Sequence, residues 1–429
     1  MADPIAGNRF GPRPAMTWQR LLPSGLLLLA AAAVVLRVPG LVLEPRFWAE
    51  EARVYFVYAL AAGPLDALTA PHQGYYSLVP NLATWLATLV PLETAPAVTT
   101  AMALAVQVLP ALIAATSTAP WAQGPARRTA AVLVVLLVGA AGELHATTTN
   151  SQFHLALAAG LVYLDFAAGP AGSRRRALLA VLVLGGLTGV QATLLTPAFA
   201  WRWWRERRPA DRAAMIVLGL CLALQAGVVI LAPAEADRFA VALDPAKALG
   251  RAAERLAKGL LVYPVAGGLG PKTLALPLGW VLAAIGGLGV VAAAVAQVAI
   301  LRRGPGRDLL AAAWLVAVVS FVGSRRMAGG DRYLALPAAL IVLAILAVAF
   351  DRRHGRPMRL AAGLAVAAAI LSNAWLYLPR MDGMADPGWP AWRDEVAAWR
   401  AGDRAEPRVH PQWADGVWTV PLPEALRPR

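Results

Sequence analysis

The stretch ALLAVLVLGGLTGVQATLLTPAFA, residues 177–200, decides how this chain folds. It is long enough to cross a bilayer, which takes about 20 apolar residues. Yet Gly185, Gly186, Gly189, Gln191 and Pro197 interrupt it. Glycine adds backbone freedom and proline removes an amide donor, so together they end helices. The stretch reads as two short helices joined by a break, entering an apolar layer and returning to the side it came from.

The flanking charges point the same way. Arg174, Arg175 and Arg176 precede the stretch, and Arg202, Arg205, Arg207, Arg208 and Arg212 follow it. Cytoplasmic loops carry the excess of Lys and Arg. A single crossing would put these two clusters on opposite sides, whereas a returning pair puts them on one. Arg127/Arg128, Arg302/Arg303/Arg307 and Arg352/Arg353/Arg356/Arg359 then join them, with the N-terminus. The same arithmetic requires residues 75–90 to lie at the outer surface without crossing.

The bulk numbers suit this picture. The chain has 429 residues, 59% hydrophobic and only 15% charged, against about 25% charged in a soluble domain. Its mean hydropathy is +0.57. The apolar runs do not alternate, which excludes a transmembrane barrel. The net charge of +14 reads as topology, because the basic residues sit in short clusters between apolar runs; no nucleic-acid partner is expected. The single cysteine, Cys221, excludes a disulfide framework within one chain.

Further spans read at about 21–43, 96–118, 129–145, 152–168, 213–232, 273–301, 309–323, 333–350 and 360–378. The expected fold is all-α and polytopic, with about eleven transmembrane helices, one pair of them short and broken. The run from 21 reads as an uncleaved first span. Residues 1–20 form a cytoplasmic arm, 21–378 the membrane domain with an outer loop at 44–95, and 379–429 an extracytoplasmic tail. In the tail, Trp392, Val396 and Trp399 share a helical face, so this segment is expected on the outer membrane surface. VHPQWADGVWTVPLP, 409–423, reads as extended.

Four polar constellations stand out. Glu50 and Glu51 follow the first span among Phe47, Trp48, Tyr55 and Tyr58. They read either as a solvated interfacial helix or as carboxylates at the mouth of a cavity, suited to a general base. In GSRRMAGGDRY, Arg325, Arg326 and Arg332 crowd an outer loop, with Tyr333 next. Either Asp331 pairs with Arg332 on a surface loop, or the guanidinium forks hold a phosphate. In ELHATTTNSQFHLAL, Glu143, His145, Asn150, Gln152 and His154 cluster at the outer end of two spans. The spacing matches no zinc motif, and no metal or other cofactor is expected. Gln191 sits at the helix break, and His72 and Tyr75 in HQGYYSLVP are further cavity candidates.

The order of these features resembles the GT-C superfamily of membrane glycosyltransferases, in particular the branch of protein mannosyltransferases and aminoarabinose transferases. Glu50-Glu51-Ala52-Arg53-Val54-Tyr55 is similar to the acidic pair of its first outer loop. PHQGYYSLVPNLATWLATLVPLE is similar to its outer juxtamembrane helix, and ALLAVLVLGGLTGVQATLLTPAFAWRWWRERR to its broken helix pair. SFVGSRRMAGGDRYLALP is similar to its late basic motif. Gln191 stands where the family often has lysine, with Arg325 and Arg326 as compensation.

The resemblance implies transfer of a sugar from a polyprenyl-phosphate donor to a glycan, lipid or protein acceptor, at the outer face of a bacterial plasma membrane. Glu50 would be the base with Glu51 as its alternate, and Arg325, Arg326, Arg332 and Tyr333 would bind the donor phosphate. A flippase, or a polymerase or ligase of lipid-linked saccharides, is the alternative reading.

Overall fold

The structure, a computed structural model, describes residues 18–139, 142–231, 250, 253–254, 256–267, 278–303, 306–322, 332–374, 377, 391–413 and 416–427. Among these residues the fold is helical apart from one short hairpin. The main helices are α1 (Trp18–Leu36), α2 (Leu78–Ala87), α3 (Ala95–Thr116), α4 (Pro125–Leu137), α5 (Ser151–Phe166), α6 (Gly172–Gly186) and α7 (Thr196–Glu206). They continue with α8 (Pro209–Leu231), α9 (Gly279–Arg303), α10 (Arg307–Val322), α11 (Arg332–Phe350), α12 (Arg356–Ala374) and α13 (Trp392–Ala401). Five of these, α3, α8, α9, α11 and α12, are long and apolar enough to cross a membrane.

α11 forms the centre. It is apolar all round and buried from Leu334 to Leu346, as a helix with no polar face must be. Small residues let neighbours approach closely. A Cβ on Gly160 of α5 would lie 2.4 Å from the Leu340 side chain of α11. The periphery shows the reverse pattern: Leu28 and Leu29 on α1, Leu220 and Ile230 on α8, and Leu288 and Val291 on α9 are exposed. Large aliphatic side chains left uncovered on several helices form a surface suited to lipid.

The bundle has two unlike ends. At one end Arg174 pairs with Asp165 and donates to the Thr116 carbonyl. Arg202 donates to the Tyr163 carbonyl, Arg208 to the Ala167 carbonyl, and Arg127 to the Phe350 carbonyl. Both ends of the 172–206 segment therefore meet residues 163–167, so α6 and α7 start and finish at the same end of the bundle. α2 has ten residues, about 15 Å, half the length a crossing demands. It packs at the opposite end.

The break between α6 and α7 is held by the chain just before α2. Leu78 N–H donates to the Leu187 carbonyl (2.8 Å), and Gly189 N–H donates to the Tyr76 carbonyl (3.0 Å). Gln225 of α8 completes the joint. Its Nε2 donates to the carbonyls of Tyr76, Gly186 and Gly189, and its Oε1 accepts from Tyr76 N–H at 3.0 Å. Sixteen residues from the start of α8, this clamp lies about 24 Å along the helix. Gly189 has a φ of +82°, and a Cβ there would lie 2.4 Å from Gln152 Oε1; only glycine fits this turn.

Two expectations need correction. The third span, read at 129–145, ends as a helix at Leu137. Gly139 has a φ of +74° and lies so close to Ala335 that a Cβ would be 2.6 Å from its carbonyl oxygen. The chain turns there, and residues 142–150 form a packed loop. The tail helix also differs. Trp392, Val396 and Trp399 are buried with Phe47, Phe56 and Leu92. Trp392 Nε1 donates to the Leu92 carbonyl (2.7 Å), and the Phe47 ring meets the Trp392 ring edge-on at 5.1 Å. The apolar face expected on the membrane is covered by protein, because the 44–95 segment offers an aromatic partner that sequence spacing could not reveal. The extended stretch pairs as an antiparallel hairpin, β1 (Arg408–Trp413) with β2 (Gly416–Thr419).

Replacing Gln225 by leucine keeps the bulk and removes the clamp. Each backbone group left unsatisfied costs about 1–3 kcal/mol, so Gln225→Leu should unfold at a clearly lower temperature in detergent. An unchanged Tm would show that the clamp contributes nothing.

Candidate functional site

The two glutamates that sequence leaves alike are separated by one residue's rotation. Glu51 turns inward and is 1% exposed. Its Oε2 accepts from Trp48 N–H (3.2 Å), and its Oε1 accepts from Thr148 N–H (2.9 Å) and the Thr148 hydroxyl. Burial raises its pKa above the ordinary 4.5, and these hydrogen bonds oppose the rise. Glu51 thus ties the loop after the first span to the 142–150 loop. Ala49 and Ala146 flank the tie with φ of +24° and +53°, strained for alanine and held in place by the bonds around them.

Glu50 stays half-exposed. It lies close enough to Arg332 to act on it electrostatically, as do Glu143 and Tyr333. Arg332 Nη1 sits 3.3 Å from Glu143 Oε2. Its guanidinium lies over the Tyr333 ring at 5.3 Å, and that ring packs edge-on against Phe153 at 5.8 Å. Glu143, Arg332 and Tyr333 therefore meet at the end of the bundle opposite the arginine-rich one, with Glu50 within electrostatic range. Beneath them lies a cavity of about 40 Å3 lined by Arg37, Gln107, Phe153 and His154, room for a water or two.

The remaining candidates do other work. His145 is buried, and its Nδ1 faces Gln107 Nε2 at 3.1 Å. Burial, then Arg37 and His154, push its pKa down to about 3, so the ring is neutral. Asn150 donates to the Glu143 carbonyl (2.6 Å) and the Thr147 hydroxyl (3.0 Å), which shapes the loop. Gln191 is buried and accepts from the Ser320 hydroxyl of α10 at 3.1 Å. His72 is wedged edge-on between Tyr55 and Tyr58, with ring centroids 4.7 and 4.9 Å away. The Tyr75 hydroxyl accepts from Gln152 Nε2 at 3.2 Å. Arg325 and Arg326 lie outside the described residues.

Sequence reading gave Glu143 no partner, and passed over Gln107, Thr148 and Gln225. The two glutamines carried a signal: each is a lone amide inside an apolar span, where polar groups need a partner. Thr148 carried none. Among the described residues, no group of three or more His, Cys, Asp or Glu is arranged to hold a metal. No protein-family model matches the chain, and no curated protein matches it.

The Glu51 tie has a pH signature. A carboxyl whose folded pKa is raised binds more protons folded than unfolded between pH 4.5 and the folded value. Its contribution to stability is full below 4.5 and is lost as pH rises through the folded pKa. Glu51→Gln should remove this loss, so the Tm advantage of wild type over the variant should shrink from pH 4.5 to pH 8. A constant difference across that range would exclude a raised pKa.

Proposed function

We propose that this protein is a membrane glycosyltransferase of the GT-C kind, using a polyprenyl-phosphate sugar at the extracytoplasmic face. The observation that carries the reading is Arg332, paired with Glu143 at 3.3 Å and lying over the Tyr333 ring, with Glu50 within its electrostatic range, at the end away from the basic loops. A half-exposed carboxylate within reach of a guanidinium's field supplies the two groups such a transfer needs. The eleven helices α1 and α3 to α12 each take part in the bilayer, with α6 and α7 as a re-entrant pair and the N-terminal side cytoplasmic.

In this reading the acceptor hydroxyl oxygen attacks the anomeric carbon. The bond from that carbon to the phosphate oxygen breaks, and its electron pair leaves with the polyprenyl phosphate. Glu50 takes the hydroxyl proton as the new bond forms, and the anomeric configuration inverts. Arg332 stabilises the charge gathering on the phosphate. The described cluster holds two carboxylates, Glu50 and Glu143, against one guanidinium. Attraction of an anionic donor therefore also requires Arg325 and Arg326. Glu143 keeps Arg332 in place until the phosphate competes for it.

Glu50→Gln should lower sugar transfer from a labelled polyprenyl-phosphate donor in membranes by about 10²–10⁴-fold, the usual effect of removing a general base. Arg332→Ala should weaken transfer and donor binding together. Full transfer by Glu50→Gln would reject the base. Movement of the lipid across the bilayer with no covalent product would turn the reading to a flippase.

A further inference from the structure

At the arginine-rich end, α4, α5, α7, α10 and α11 surround a cavity of about 500 Å3. Its walls are of two kinds. Leu164, Leu343, Ala344, Ala347 and Phe350 make an apolar side. Arg127, Arg202, Arg205 and Arg353 face Glu206, Asp308 and Asp351 across the rest. Volume and lining fall in the range of ligand sites, which are largely apolar with a few fixed polar groups.

The four guanidiniums are held differently. Arg202 is buried; its Nε donates to Asp211 Oδ1 (2.8 Å) and its charge lies 3.9 Å from the Tyr163 ring centroid. It is neutralised and builds the floor. Arg353 pairs with Asp351 at 3.1 Å and is mostly in solvent. Arg205 is shared at 3.3 Å between Glu206 and Asp308, with 38% of its side chain exposed. Arg127 is different again. Its Nη atoms donate to the carbonyls of Pro120 and Phe350, and its Nε is buried with no acceptor. Among the described residues no carboxylate lies within ion-pair distance of it.

A separate observation sets the depth. Trp201 and Trp204 flank Arg202 and Arg205 on α7, exposed, with ring centroids 5.1 Å apart. Exposed tryptophans mark the headgroup layer. The cavity lies at the end of the bundle that these tryptophans occupy. Basic pockets between membrane helices on the arginine-rich side take anionic headgroups, and guanidinium forks match phosphate oxygens. A free phosphate would leave the apolar wall uncovered.

We propose that this cavity binds an anionic phospholipid, its phosphate held by Arg127 and Arg205 and its upper acyl chain lying along Leu343, Ala347 and Phe350. The lipid joins the returning arm α7 to the central helix α11. It binds only the folded chain, so it stabilises the fold by mass action.

The test is thermal unfolding of the full chain in an uncharged detergent, with added phosphatidylglycerol or phosphatidylcholine. Phosphatidylglycerol should raise Tm by about 3–6 °C over phosphatidylcholine. Arg127→Gln with Arg205→Gln should abolish that difference. So should Ala347→Trp, which fills the cavity without changing charge. Equal effects of the two lipids, or a rise that survives in either variant, would overturn the site. Inorganic phosphate producing the whole rise would overturn the lipid assignment. Native mass spectrometry of the wild-type protein should retain phosphatidylglycerol in preference to phosphatidylcholine; equal retention counts against the proposal.

Discussion

Backbone groups set free inside an apolar layer must find partners, and the architecture follows from how this chain meets that demand. Between α6 and α7 the helical ladder is interrupted at Leu187–Gln191. In hydrocarbon each orphaned amide or carbonyl costs several kcal/mol. The chain answers with its own backbone at 76–78 and with one side chain, Gln225. The loop before α2 is thereby drawn against the break. That fixes α2 at the end away from the arginine clusters, and it lets α6 and α7 start and finish at one end. The arginine clusters can then share an end without being buried unpaired.

The fold was legible where the signal was local. The interruption at 185–197, the basic clusters and the apolar lengths are all properties of short windows, and they yield the returning pair. The end of α4 was not legible, because it depends on the closeness of Gly139 to Ala335, nearly two hundred residues later. The tail helix was half legible. Its amphipathic face at Trp392, Val396 and Trp399 follows from spacing, but spacing cannot distinguish a lipid surface from an aromatic patch on the same protein.

The site divides in the same way. That the acids and the late arginine share one end follows from counting crossings. Which acid faces outward does not. Glu50 and Glu51 differ by one helical step, and the inward turn of Glu51 depends on Thr148, in a loop with no distinctive sequence. For His145 and Asn150 sequence leaves two roles open, because polar residues at a span end can serve either a ligand or the loop's own backbone. Here Gln107 and the Glu143 carbonyl take them.

The aromatic cluster around Phe47 and Phe56 joins residues separated by almost the whole chain. During synthesis and membrane insertion, the loop after the first span must wait while every later helix is made. Only then can Trp392 and Trp399 arrive to cover it. Until that moment the half-built protein carries an uncovered aromatic surface beside the carboxylates. The tail helix closes that surface last, so the packing around this early loop is complete only once the late residues are in place.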